Sequence, residues 1–111
     1  MTEDEWGRDP QVRYLRTVFA QMEKVQGELL LRLHVSPFDY RLRRVREAAL
    51  TSFEKAWRLA AHRGIANNEE EIAALYLHCL AHILTINHIH VPPDLLPVNE
   101  GIAGILREVF T

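Results

Sequence analysis

The chain is expected to be all-α: a compact four-helix bundle of three long helices and one short C-terminal helix, associating as a homodimer through its over-apolar third helix or that helix's neighbours. Three observations lead there. Apolar residues recur at three- and four-residue spacing in four separate stretches, cap and stop residues punctuate those stretches, and no alternating apolar pattern is long enough to build a sheet. The 111 residues are a single-domain length, divided here into an acidic arm over residues 1–8 and one helical domain over 9–111. With 48% hydrophobic and 25% charged residues the chain can build a core without a disulfide or structural metal, so no cofactor is required for folding.

In the arm, Glu3, Asp4 and Glu5 surround Trp6, which is expected to dock on the domain. Asp9 as cap with Pro10 at the first helical position opens the first helix, because the missing proline N–H would have no partner there anyway. Val12, Leu15, Phe19, Met22, Gln26, Leu29, Leu30 and Leu33 recur at helical spacing and, with Val18 and Val25, make a broad apolar stripe. Ser36-Pro37-Phe38-Asp39 repeats the start signal and is expected to open the second helix. That helix presents Phe38, Leu42, Val45, Ala49, Phe53, Ala56 and Ala60 to the core, and Gly64 stops it. The short link between these two helices predicts an antiparallel pair.

The third helix is the centre of the reading. Asn68 caps it, with Glu71 three residues on as in a capping box, and Glu69 and Glu70 place negative charge on the positive end of the dipole. Ile72, Leu75, Tyr76, Cys79, Leu80, Ile83 and Ile86 form one face, and Ala73, Leu77, Ala81 and Leu84 extend it. Only Glu71, His78, His82 and Thr85 stay polar, so the helix either occupies a middle position or forms a dimer interface. It must end before Pro92, with His88 and His90 expected in extended backbone. After a proline-rich connector carrying Leu95 and Leu96, a short helix runs to Val109, with Gly101 and Gly104 leaving room for a neighbouring backbone.

Net charge is −2 with neutral histidines, which gives no global attraction for nucleic acid or an anionic membrane. The single Cys79 excludes an internal disulfide, and there is neither a signal-like start nor an apolar run long enough to span a bilayer. The expected compartment is the reducing cytoplasm.

Two clusters carry possible chemistry. His78 and His82 lie one helical turn apart and can chelate a transition metal or serve a haem, with His88 and His90 as candidate further ligands. Against this, four-residue spacing of two histidines arises readily without function, and no Glu-x-x-His, His-Glu-x-x-His or Cys-x-x-Cys accompanies it. The second cluster is Arg41, Arg43, Arg44 and Arg46, which oppose the dipole at a helix start and so need another reason to be there. A phosphate backbone or acidic partner could use Tyr40, Arg43, Arg44 and Arg58, with Lys55 on the same side; the bland alternative is local pairing, such as Arg43 with Glu47. Cys79 faces the apolar side and Ser36 is spent as a cap, so no nucleophile stands beside a base, and a non-enzymatic interaction or regulatory module with a protein partner is the expected function.

Overall fold

The computed structural model describes residues 10–97 and 99–110. The acidic arm, Trp6, the Asp9 cap, Val98 and the side chain of Val12 therefore lie outside the described residues. Within them the fold is all-helical: α1 (Pro10–Arg32), α2 (Leu42–His62), α3 (Glu69–Ile86), a 3-10 turn (Pro93–Leu95) and α4 (Glu100–Val109), with no strand among the described residues. No helix among them is long and apolar enough to cross a membrane.

The middle position is realised by α3. It packs against α1, α2 and α4, while α4 also packs against α2. Ile72, Leu75, Cys79, Leu80 and Leu84 of α3 are essentially inaccessible, and Ala73, Leu77 and Ala81 are buried as well. Each large side chain removed from water in this way contributes about 1.5–3 kcal/mol. Its apolar circumference is thus covered within one chain, which removes the premise for a dimer through α3; Ile86, at the helix end, is exposed and not in the core as expected.

Among the caps within the described residues, those of α3 and α4 follow their local chemistry and that of α2 does not. The Asn68 side chain accepts the Glu71 N–H at 2.9 Å, and the Glu71 carboxylate reaches back to the N–H of Asn67, one residue earlier than a standard capping box. Asn99 caps α4 in the same way, accepting the Ile102 N–H at 3.1 Å. The exception is α2, which does not start at Ser36-Pro37. Ser36 Oγ accepts the Phe38 N–H and Ser36 O the Asp39 N–H, making a turn in place of a helix; the helix proper begins at Leu42, whose N–H bonds to the Asp39 carbonyl. Phe38 is consequently 92% exposed, not a core residue.

Three helices end in the same motif. The residue after the cap takes positive φ, and paired backbone bonds close the last turn: Val35 to Leu30 and His34 to Leu31 for α1, Ile65 to Ala60 and Gly64 to Ala61 for α2, Ile89 to Leu84 and His88 to Thr85 for α3. Gly64 does this at φ 69° without strain, but His34 (56°) and His88 (65°) carry a Cβ into the left-handed region. His88 is therefore not extended, contrary to expectation. Leu95 and Leu96 pack against the core as anticipated, but no neighbouring backbone approaches Gly101: a Cβ there would meet the side chains of Asn99 at 3.2 Å and Ile65 at 3.4 Å. Gly104 has open space around it, so the close approach expected there is absent.

Candidate functional sites

Three surfaces gather the polar and exposed apolar groups. The first is a seam between α1 and α2. Pro10, Tyr14 and Leu15 face Trp57 at one end, and Phe19, Met22, Glu23 and Gln26 face Leu50 and Arg46 at the other, over Tyr76 of α3. Rising numbers on α1 meet falling numbers on α2, the antiparallel order the short link predicts. Both helices are seated mainly on α3, which leaves a cleft of about 320 Å³ above Tyr76. Its floor is fixed by the Tyr76 hydroxyl, which donates to Gln26 Oε1, and by the edge-on packing of the Phe53 and Tyr76 rings 5.6 Å apart. Leu15 is 40%, Phe19 49% and Leu50 45% exposed, so part of the stripe read as core on α1 faces outward. Val18, Met22, Leu29 and Leu30 hold the inner side.

Burial raises the Tyr76 hydroxyl from its ordinary 10.0 to about 12, and likewise raises the Cys79 thiol from 9.0 to about 12, against a small opposing effect of the Ser52 hydroxyl. Cys79 is therefore a protonated, inaccessible thiol. Ser52 bonds to the carbonyls of Ala48 and Ala49 in its own helix.

The second surface lies where α2 begins and α3 ends. Arg41 is held by both Asp39 carboxylate oxygens, at 3.0 and 2.7 Å, and donates to the Asn87 carbonyl at 3.1 Å, closing the negative end of α3. The same guanidinium keeps the Asp39 carboxyl at about 2, well below its ordinary 3.8, and the carboxylate in turn raises the arginine. This is why a cation is tolerated at the start of α2: Arg41 precedes the helix and serves the end of another. Arg43 pairs with Glu47 at 3.5 Å and Arg58 with Glu54 at 2.7 Å, both exposed pairs one turn apart of little energetic weight. Arg44 instead lines a cleft of about 490 Å³ with Tyr40, Arg41, Ile86, Asn87 and His88. Tyr40 is 88% exposed, leaving most of the gain from burying a ring, about 1.5–3 kcal/mol, unrealised.

The third surface is the histidine stripe. His78 Nε2 lies 2.7 Å from the Pro97 carbonyl, which can only accept, so that nitrogen carries the proton. The His82 ring stacks on Phe110 with centroids 3.9 Å apart. His78 and His82 thus share one face with Ala103 and Leu106 of α4, but His88 lies in the Tyr40 cleft. Among the described residues no three His, Cys, Asp or Glu side chains are grouped to hold an ion. The left-handed turn at His88 ends α3 without carrying His88 back to His78 and His82, as an intrachain four-histidine site would require.

Compared with known proteins, the chain matches no family model, no curated protein and no solved structure. The sequence had marked Tyr40, Arg44 and the histidines but missed the α1–α2 seam, since Leu15 and Phe19 share helical spacing with residues that are buried. Only the width of the stripe, broader than one contact face, hinted at it.

Proposed function

We propose that the chain is a non-enzymatic helical interaction module whose working surface is the α1–α2 seam, and that a second copy of the chain occupies this surface. The exposed apolar row of Leu15, Phe19 and Leu50 carries the reading. Contiguous apolar side chains left in water beside an open cleft are the usual mark of an interface. The interior of the fold does not need them, because α3 is already covered by its neighbours.

The pattern along α1 favours self-pairing. Arg16, Phe19, Ala20 and Glu23 share one outer arc of the helix, all of them exposed. Two α1 helices crossing antiparallel about a two-fold axis between Phe19 and Ala20 bring Arg16 of each copy opposite Glu23 of the other. The same operation sets each large Phe19 against a small Ala20. Such a surface is self-complementary, as a two-fold interface must be.

Native mass spectrometry and sedimentation equilibrium of the untagged chain test this. A dimer is expected, with Phe19→Asp shifting it to monomer. Arg16→Glu should weaken the dimer and Arg16→Glu/Glu23→Arg restore it, since the double exchange recreates the opposed pairs. A wild-type monomer at every concentration, or a double variant no stronger than the single one, overturns the proposal.

A further inference from the structure

We propose that the cleft between the start of α2 and the end of α3 binds single-stranded nucleic acid, with a base stacked on Tyr40 and the adjoining phosphate at Arg44. The site is distinct from the α1–α2 seam and does not depend on it.

The turn that presents Tyr40 is well built. Ser36 Oγ and the Ser36 carbonyl hold the Phe38 and Asp39 N–H groups, and Asp39 Oδ1 holds the Arg41 N–H at 2.9 Å. Two aromatic rings, Phe38 and Tyr40, project from this fixed turn almost fully into solvent. Residues 39–44 set three arginines against one aspartate. Of these, Arg41 is spent on Asp39 and the end of α3, and Arg43 is paired with Glu47. Arg44 is the exposed cation that lines the cleft, opposite Ile86 and His88.

A stacking ring beside an arginine is the combination that recognises single strands, because every base has a π-face and every nucleotide a phosphate. The volume, about 490 Å³, falls within the small-ligand range of about 300–1,000 Å³. Concavity decides against a bilayer: a flat headgroup surface would meet the exposed Phe38 and Tyr40 rings but leave unfilled the cleft that Tyr40 lines. Duplex is disfavoured because its bases are stacked on one another and present no free face to Tyr40. Since the net charge is −2, attraction must be local and confined to very few phosphates, so the salt dependence should be shallow.

Fluorescence anisotropy with labelled single-stranded oligothymidylate tests the inference. Binding is expected to fall about tenfold in Tyr40→Ala and to survive in Tyr40→Phe, which keeps the stacking face. Arg44→Glu should lose about tenfold or more, whereas Arg107→Glu on α4, with the same change of net charge, should have little effect. Tyr40 and Arg44 are exposed, so circular dichroism of the variants should match the parent. No anisotropy change with the unaltered protein, equal losses in Arg44→Glu and Arg107→Glu, or binding to phosphatidylserine vesicles but not to the oligonucleotide would each overturn it.

Discussion

Helices α3 and α1 both carry more apolar residues than one contact face needs, and they dispose of the excess differently. Around α3 three helices close the circumference, leaving Leu75, Leu80 and Leu84 without access to water. α1 packs chiefly on α3 and keeps Leu15 and Phe19 half in solvent. An apolar excess therefore indicates an interface only after the helices of the same chain have taken their share. Applied to α3, the test returns a core helix; applied to α1, it returns a surface with an unfilled side.

Truncation of side chains separates the two helices most directly. Leu80→Ala in α3 should cost about 2–5 kcal/mol in urea denaturation, while Leu15→Ala on α1 should cost less than about 1 kcal/mol in the monomer. Equal losses would mean that α1 is as enclosed as α3. A smaller effect belongs to the link between the two helices. Tyr76→Phe removes the hydroxyl that donates to Gln26 and should cost about 1–2 kcal/mol.

Alkaline titration sharpens the same point. Tyr76 and Cys79 stay protonated in the fold, whereas the unfolded chain releases these protons near their ordinary values of 10.0 and 9.0. Above pH 9 the folded state thus binds more protons than the unfolded one, and stability falls as pH rises until the folded groups titrate near 12. A Cys79→Ala/Tyr76→Phe variant should lose this part of the decline in urea melts recorded between these limits. The smallest effects concern the helix ends. His34→Gly on α1 and His88→Gly on α3 each relieve a left-handed residue and should add about 0.5–1 kcal/mol, read as an upward shift in thermal midpoint. A destabilisation in either case would show that the imidazole contributes more at the helix terminus than its backbone conformation costs.

Much of the architecture was legible, for reasons tied to particular residues. Asn68 and Gly64 mark their boundaries through hydrogen bonds that depend on a few neighbours in sequence, whereas α3 ends at the left-handed His88, ahead of the Pro92-Pro93 limit. The start of α2 was not. Ser36-Pro37-Phe38-Asp39 satisfies a helix start and a turn equally well, and the choice fell to Asp39, which engages Arg41 while Arg41 engages Asn87, 46 residues further on. Candidate sites were legible as residue types only. Tyr40 and Arg44 were marked from the sequence, but their neighbour His88 had been grouped with the other histidines and came to this cleft through the left-handed end of α3.

Spacing and local capping chemistry were enough for the helical class, the number of long helices, the Asn68 start and Gly64 stop, and the central role of the third helix. These follow from periodicity and from backbone groups that must be satisfied within a turn or two of the chain. Tertiary structure alone decided which side of α1 remains open, which arginine is spent and which is available, and that His78 turns to the Pro97 carbonyl. Those outcomes depend on which surfaces meet, and the spacing of residues within one helix carries no information about what a distant segment places against it.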